Sequence, residues 1–270
     1  MDGDRGRDGG AIELCDAHCH VDFAADPRAV AADAARAGCA LLCSTVEPQG
    51  FERACELMPP ARFSLVRIGV GMHPRWVAAA QDAARAQADR AVSLLSQADF
   101  VGEIGLDFGM RHADTAAAQR YAFERIVRAA VDCGGKVLSI HAVRSAGAVL
   151  DILEKQDAFG SCCCIFHWFS GSSDELNRAI ALGCRFSVGE RMLATRRGRA
   201  YVRAIPADRL LLETDLPARA GMPFGYSQIE GALQRTRILL GRIGGQERAR
   251  AVLQNSREVF SLCGRLPAKS

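Results

Sequence analysis

The chain has 270 residues, of which 49% are apolar and 24% charged, and its formal net charge is +3. These proportions are those of an ordinary globular protein with one large core or two small ones. The small net charge does not by itself indicate a polyanionic partner. Only three of the 34 basic residues are lysine. The others are arginine, whose planar fork suits phosphate, although an arginine-rich genome would leave the same bias.

Cysteine usage and the start of the chain indicate the compartment. The eleven cysteines are an odd number, residues 162–164 are three in a row, and no C-x-x-C pair has a distant partner. This pattern argues against a disulfide framework and against a structural thiolate zinc site. The first ten residues are polar and glycine-rich, and no apolar run has the length of a membrane span. We expect a cytoplasmic protein that makes no membrane contact.

Short apolar runs alternate with helical patterns along the rest of the chain. Asp26-Pro27 opens a first helix that Gly38 ends, and Ser172 or Ser173 opens a later one that ends at Gly183. The predicted strands cover residues 11–16, 40–46, 64–71, 100–106, 136–141, 162–167, 184–188 and 210–213. The predicted helices cover residues 27–38, 50–58, 81–97, 114–133, 145–156, 172–183, 227–241 and 246–263.

Eight strands, nearly all followed by a helical segment, predict an α/β fold of the (β/α)8 TIM-barrel type. The chain length agrees with the roughly 250 residues that are typical of this fold. A doubly wound open sheet is the alternative, but no glycine-rich phosphate turn follows the first strand. We expect a single barrel domain over residues 11–264, with a disordered tail at residues 1–10 and a second tail at residues 265–270.

The stretch Asp16-Ala17-His18-Cys19-His20 ends the first predicted strand. In an extended strand, residues two apart share a face, so Asp16, His18 and His20 should point the same way. Two imidazoles beside a carboxylate form half of a divalent-metal site. The alternative is that two of the six histidines fall close together without a shared ligand.

Five of the six histidines fall at predicted strand ends, and only His112 does not. Barrel active sites lie at the carboxyl ends of the strands, whereas structural histidines would scatter over helices and loops as well. Imidazoles and carboxylates without an obligatory thiolate suit hard-to-borderline divalent cations. The candidate metal ligands at these strand ends are His18, His20, Glu103, His141, His167 and Asp215, and His73 follows the third strand.

Two neighbouring ions need a bridging group, and Glu103, on the central fourth strand, is the natural candidate. One site would consist of His18, His20 and Asp215, and the other of His141 and His167.

Asp16 and Glu213 are expected beside the ligands, where they would hold them in position. Glu213 shares a face with Asp215 if the eighth strand runs straight. A helix cap or a salt bridge is an equally open role for Glu213.

Six motifs occur in the order seen in the TatD family of metal-dependent hydrolases, which the chain resembles over about residues 11–262. They are Asp16-Ala-His-Cys-His20, Gly71-Met-His-Pro74, Val101-Gly-Glu-Ile-Gly-Leu-Asp107, Ser139-Ile-His141, Phe166-His-Trp-Phe-Ser-Gly171 and Glu213-Thr-Asp-Leu-Pro217. The closing Asn255-Ser-Arg-Glu-Val-Phe260 is similar to the end of the family pattern. The resemblance implies an amidohydrolase-like barrel, two divalent ions (Mg, Mn or Zn), and deoxyribonuclease activity, commonly 3′→5′ exonucleolytic, on DNA that is single-stranded or has free ends.

A narrower resemblance is to the TatD-like subunit (QatD) of Qat anti-phage defence systems. It is carried by residues 138–151, 167–171, 186–189 and 192–200, and it implies other subunits of a defence complex as partners. The chain also departs from the TatD pattern. The arginine that usually follows the strand-five histidine by two residues is Val143, with Arg144 one place later, and Trp168 replaces the usual cysteine. These departures concern substrate contacts and remove no ligand.

The mechanism implied is metal-assisted hydrolysis. The cations would lower the pKa of a bridging water and neutralise charge on the phosphoryl oxygens. We expect catalytic roles for Asp215, which would accept the proton of this water, and for Glu103, which would hold both ions. His73 would lie near the phosphate or the leaving oxygen, and a structural His-Pro turn is its alternative role.

Substrate binding is expected from His73, Arg144, Trp168, Arg196 and Arg197. Trp168 would stack on a base, or it packs beside the ligand. The arginines that follow strand seven (Arg191, Arg196, Arg197 and Arg199) would hold a nucleic-acid backbone, or they form a solvated helical face.

Two other functions stay open at this point. The same metals would serve a hydrolase of a small ester, amide or phosphoester, which the mild net charge permits. Alternatively, the chain is mainly a partner-binding subunit of a defence complex and its metal site is secondary. Release of nucleotides from single-stranded ends, with and without chelator, separates the first of these from a nuclease.

Overall fold

The computed structural model describes residues 12–263, so both predicted tails lie outside the described residues. The strands are β1 (Leu14–Cys19), β2 (Cys39–Ser44), β3 (Val66–Gly69), β4 (Phe100–Asp107), β5 (Val137–Val143), β6 (Cys163–His167), β7 (Arg185–Val188) and β8 (Leu210–Leu212). The helices are α1 (Pro27–Arg36), α2 (Pro48–Leu57), α3 (Gln81–Leu94), α4 (Ala116–Asp132), α5 (Ala146–Lys155), α6 (Ala158–Ser161), α7 (Ser173–Ala181), α8 (Glu190–Ala194), α9 (Arg196–Ala204), α10 (Tyr226–Gly244) and α11 (Gln246–Leu262).

The eight strands run parallel in sequence order around a ring. One hydrogen-bonded sheet runs from β1 through β2 to β3, and a second runs from β4 in order to β8. Shorter contacts join the two sheets. At one seam Val70 N donates to Phe100 O (3.2 Å), and at the other Asp215 N donates to His18 O (2.9 Å). The predicted (β/α)8 barrel is therefore confirmed, and the carboxyl ends of all eight strands meet at one mouth.

Apolar side chains fill the barrel interior at the end opposite the mouth. Leu42, Phe100, Ile165 and Leu211 come from strands around the ring and pack on Phe260 of α11. A second, larger core lies between the outer faces of the strands and the helices. The polar ends of the strands are thus held on a closed, packed support.

An irregularity in β1 corrects the prediction that Asp16, His18 and His20 share a face. The register with β2 shifts between Asp16 and Cys19. In consequence Ala17 packs inside the barrel while Cys19 packs against the helices, although in a regular strand these residues would share a face. The side chain of Asp16 turns to the β8 end instead, where it accepts a hydrogen bond from Thr214 Oγ1 (2.6 Å).

Other boundaries differ from prediction for local reasons. Strand β3 ends at Gly69 because Val70 and Met72 bond to β4 instead. Gly71 crosses there against the carbonyl oxygen of Thr45, which a Cβ would meet at 1.7 Å. Helices α8 and α9 lie where the sequence predicted no bounded element and offered a helical face only as the alternative role of the arginines after strand seven. Among the helices that the structure describes, none is both long and apolar enough to cross a membrane.

Candidate metal centre

The carboxylate of Glu103, in the middle of β4, is the point on which the site converges. The expectation that Glu103 ends its strand is therefore wrong, because β4 continues to Asp107. Its Oε2 lies 3.4 Å from Nε2 of both His18 and His20. Its Oε1 lies 2.7 Å from His141 Nδ1 and 2.9 Å from His167 Nε2. One buried carboxylate therefore faces two different pairs of imidazoles.

Asp215 completes the side that holds His18 and His20. Its Oδ1 lies 3.4 Å from His20 Nε2 and 3.9 Å from His18 Nε2. It reaches this place from a left-handed backbone conformation (φ 56°) after β8 has ended at Leu212. The assumption of a straight strand is therefore wrong, and Glu213 does not lie beside Asp215 on one face. Glu213 instead accepts from Ser187 Oγ (2.5 Å) and lies 3.7 Å from His167 Nδ1.

Behind each of the four converging imidazoles lies a polar group, next to the ring nitrogen that faces away from Glu103. His20 Nδ1 donates to Ser44 O (2.7 Å), and His18 Nδ1 lies 2.7 Å from Ser139 Oγ. Among residues 12–263, His167 Nδ1 and His141 Nε2 make no hydrogen bond, but they face the carboxylates of Glu213 at 3.7 Å and Asp107 at 3.4 Å. The Ser44 carbonyl oxygen keeps a proton on Nδ1 of His20 and so directs Nε2 towards a metal.

The local environment sets the protonation of these groups. Burial, and next the nearby His167, lowers the pKa of His18 to about 4. Burial also lowers the pKa of His20, but contacts with Asp215 and Glu103 outweigh it and raise that pKa to about 10. Burial would raise the pKa of Glu103, yet the surrounding imidazoles hold it well below its usual range. Glu103 is therefore ionised at neutral pH, the form that binds cations.

The residues present fit divalent cations. His18 Nε2 is buried and, within residues 12–263, has no hydrogen-bond partner. The distances of 3.4 to 3.9 Å among His18, His20, Asp215 and Glu103 Oε2 resemble the spacing of about 3.3 Å between ligands of one tetrahedral ion. Three groups of residues could each hold an ion, because the ligand atoms within each group lie within 4.8 Å of one another. The groups are His18, His20 and Asp215; His18, Glu103 and His167; and His73, Glu103 and His141.

His73 differs from the other histidines of these sets. Its Nδ1 accepts a hydrogen bond from the backbone N–H of Arg75 (3.0 Å), so the proton of the neutral ring is on Nε2. That Nε2 lies 3.2 Å from Glu103 Oε1. Burial lowers the pKa of His73 to about 4, so the ring is neutral at pH 7. His73 is therefore suited to donate a hydrogen bond at the centre and poorly suited to bind a metal.

A cavity of about 520 Å³ opens onto this cluster. Trp168, which was predicted to bind substrate, lines it together with His73, and so do Arg75, Trp76 and Arg191. The cavity is large enough for part of a nucleotide chain and is walled by aromatic and cationic side chains.

Three predicted substrate residues do not reach the cavity. Arg144 and Arg196 are exposed and lie outside its lining. Arg197 Nη2 donates to the carbonyl oxygen of Gly171 (2.6 Å), and its Nε donates to Tyr201 Oη (2.6 Å). The guanidinium of Arg197 therefore joins α9 to the loop after β6, and Arg197 is not among the residues that line the cavity.

Comparison with known proteins identifies the family. The model of TatD-related DNases matches residues 15–261. The chain belongs to the TatD family. This confirms the resemblance that the six motifs carry, and the narrower resemblance to the Qat subunit stays a prediction.

Two relatives and one solved TatD structure illustrate the match. The chain is 34% identical over 154 residues to the 3′-5′ ssDNA/RNA exonuclease TatD of Musicola paradisiaca, covering 54% of this chain and 55% of that protein. It is 31% identical over 206 residues to the exonuclease of the same name from a Pantoea species, covering 73% and 75%. The match thus spans about half the length of the first relative. The crystal structure of YJJV, a TatD homolog from Escherichia coli K12, matches with a TM-score of 0.74 and 25% identity, covering 93% of this chain and 98% of that chain.

For this TatD-family chain, the sequence assigned no role to Asp107 and did not single out Arg191 among the arginines that follow strand seven. Asp107 is buried at the end of β4 and accepts from Arg75 Nε (2.7 Å) as well as facing His141. Arg191 was considered only as one of four arginines, yet its Nη1 lies 3.6 Å from Asp215 Oδ2. The available signal was position, because Asp107 ends the same strand as Glu103 and Arg191 is the first arginine after β7.

Proposed function

We propose that this TatD-family chain is a two-metal nuclease that hydrolyses phosphodiester bonds of DNA, working from the ends of single strands. The observation that carries the proposal is the position of Glu103, whose two oxygens face separate ligand sets. The names of the relatives support nucleic acid as the substrate, since those proteins are called ssDNA/RNA exonucleases.

In this proposal the six converging residues hold two divalent ions (Mg, Mn or Zn). His18, His20 and Asp215 would hold one ion, His141 and His167 the other, and Glu103 would serve both. When bound, the ions would supply Lewis acidity at the phosphoryl oxygens and lower the pKa of the attacking water.

The side chains contribute proton positions and orientation. Asp215 is ionised, because its contacts with His20 and the other imidazoles outweigh burial and lower its pKa to about 2. It is also partly exposed to the cavity, so it can accept the proton of the attacking water. His73 presents Nε2–H to the cavity and donates to a phosphoryl or leaving oxygen as negative charge develops there.

The test is nucleotide release from end-labelled single-stranded DNA by protein whose metal content has been measured. Chelator should abolish release and added Mg²⁺, Mn²⁺ or Zn²⁺ should restore it. Label at the 3′ end should be released first if digestion runs 3′→5′, and RNA and blunt duplex DNA serve as comparison substrates. Glu52→Gln, which removes only a surface carboxylate paired with Arg90, is the matched control for Glu103→Gln.

A protein that binds two equivalents of metal but releases nothing from any nucleic acid would overturn the proposal. The small-ester or phosphoester hydrolase would then be the better account of the same ligands.

The proposal extends to a nuclease subunit of a cytoplasmic anti-phage complex, which is supported by the flanking motifs similar to the Qat subunit. Plating efficiency of phage on cells that express the chain with its genomic neighbours tests this extension. Protection should be lost with Glu103→Gln. Equal protection by the variant and the wild type would mean that the chain serves as a binding subunit.

A further inference from the structure

Four side chains at the mouth have no role in the proposed metal centre. Trp76 and Trp168 are the two tryptophans of the whole sequence, and both line the cavity. Arg75 and Arg191 line it as well. Indole and guanidinium are the groups with which proteins hold the bases and phosphates of single-stranded nucleic acid.

These side chains lie on two sides of the centre. Arg75 and Trp76 lie in the segment that connects β3 to α3, and Arg191 follows β7. In a ring of eight strands the third and seventh are opposite each other. Trp168, after β6, lies on the Arg191 side, with the Arg191 Cζ 6.0 Å from the centre of its ring. Each side of the mouth therefore carries one arginine and one tryptophan, and Glu103 lies between them.

Both arginines are held close to the proposed ligands while remaining accessible. The Arg75 side chain is 47% exposed, and its Nε is fixed 2.7 Å from Asp107 Oδ2. The Arg191 side chain is 50% exposed, with Nη1 3.6 Å from Asp215 Oδ2. Because Asp107 also faces His141, the Arg75 guanidinium is one carboxylate away from a proposed metal ligand, whereas the Arg191 guanidinium faces such a ligand, Asp215, directly. A phosphate bound by either arginine would therefore be next to the one that the ions bind.

The tryptophans are placed as surfaces for an incoming group. Trp76 is 46% exposed and meets the His73 ring edge-on, at 5.4 Å between ring centres. Trp168 adopts a left-handed backbone conformation (φ 39°), which is unfavourable for a bulky residue. Such a conformation at a site is maintained by its surroundings and directs the side chain.

We infer that a single strand crosses the mouth from β3 to β7, with its flanking phosphates on Arg75 and Arg191 and the adjoining bases stacked on Trp76 and Trp168. This inference rests on the proposed nuclease function and adds how the strand is held. A duplex cannot be held in this way, because its bases are already paired and stacked on one another. The arrangement therefore selects unpaired nucleotides whatever their sequence.

The test uses intrinsic fluorescence, since every tryptophan of the chain belongs to the inferred surface. A short oligothymidylate is titrated into the Glu103→Gln variant with Mg²⁺, so that cleavage does not occur during the measurement. The same titration uses an abasic oligomer with the same number of phosphates. Oligothymidylate should quench the fluorescence and bind more tightly, whereas the abasic oligomer should bind without comparable quenching.

Variants separate the two kinds of contact. Trp168→Ala should weaken binding of oligothymidylate about tenfold and leave the salt dependence unchanged, because it removes one stacked base. Arg191→Ala should lower the slope of log affinity against log salt by about 0.7, because it removes one phosphate contact. Trp76→Phe keeps an aromatic face and should keep the affinity. Arg203→Ala, at an exposed arginine of α9 outside the cavity lining, is the charge-matched control.

The outcomes distinguish this inference from the proposed function. Suppose the wild type degrades oligothymidylate, while Trp76→Ala and Trp168→Ala bind it as the wild type does and the abasic oligomer binds equally tightly. The stacking inference is then wrong and the nuclease proposal stands. A wild type that neither binds nor degrades single strands contradicts both.

Discussion

The two sides of Glu103 are built from the same kind of ligand but supported differently. On the Oε2 side, the outer nitrogens of His18 and His20 meet neutral groups, a serine hydroxyl and the Ser44 carbonyl. On the Oε1 side, the outer nitrogens of His141 and His167 face carboxylates, at 3.4 Å from Asp107 and 3.7 Å from Glu213. A carboxylate behind an imidazole increases its basicity as a ligand, whereas a neutral acceptor mainly orients it.

Residues of the same types can therefore serve two ions unequally. Burial raises the pKa of Glu213, but contacts with His167 and Ser187 oppose this effect. The pKa of His167 is raised well above its usual value because Glu103 and Glu213 outweigh burial, whereas that of His18 is lowered to about 4. We therefore expect ion binding to displace a proton from His167 on the Oε1 side and from His20, whose pKa is about 10, on the Oε2 side. The ion on the Oε1 side should depend more strongly on the charged groups behind its ligands.

The largest expected effect comes from removing the residue that both sides share. Glu103→Ala should lower hydrolysis by more than about a thousandfold, the scale on which a principal electrostatic group acts. It should also reduce the content of both ions, because the cations would lose the anion between them. Metal analysis by mass spectrometry and rates at saturating metal check this, with Glu52→Gln as control. Wild-type hydrolysis by the variant would mean that Glu103 does not bridge.

Removing the charge of a carboxylate behind an imidazole should weaken binding of the Oε1-side ion only, and by less than the loss of Glu103. Glu213→Gln keeps the shape of the side chain but removes the charge behind His167, so affinity for the Oε1-side ion should fall about 10- to 100-fold. Competition with a chelator should show one ion released early and the other retained. Asp107→Asn should act on the same ion through His141. If the ion on the His18 and His20 side were lost first, the outer carboxylates would not act mainly on the Oε1-side ion.

Much of this site could be predicted from the sequence because barrel topology makes the strand ends meet. The position of His18 near the end of β1 and of His167 at the end of β6 was enough to expect both near Glu103, and the structure places their Nε2 atoms 3.4 and 2.9 Å from its carboxylate oxygens. The eight apolar runs predicted the strands in the same way. Strands of a parallel barrel are buried on both faces and so form continuous apolar runs, and segments with helical periodicity separate one run from the next.

What could not be predicted depends on contacts between distant segments. The irregularity in β1 that turns Asp16 towards Thr214 arises from pairing with β2, not from the local pattern. Arg191 and Arg197 look alike in sequence, and only the position of the Gly171 carbonyl shows that Arg197 is used to join loops. Asp107 received no role because its partners, Arg75 and His141, come from the segment after β3 and from β5.

Removing a hydroxyl group behind His18 should reduce metal affinity least, because two serine hydroxyls lie near the same ring nitrogen. His18 Nδ1 lies 2.7 Å from Ser139 Oγ and 3.1 Å from Ser44 Oγ. Ser139→Ala leaves Ser44 as a partner, so the affinity for the Oε2-side ion should fall by less than about tenfold, below the range for outer carboxylates. The double variant Ser44→Ala, Ser139→Ala should lose more than the two single variants added together, because the second change leaves a buried ring nitrogen without a partner. Chelator competition on the four proteins measures this coupling, and strictly additive losses would show that the two hydroxyls do not substitute for each other.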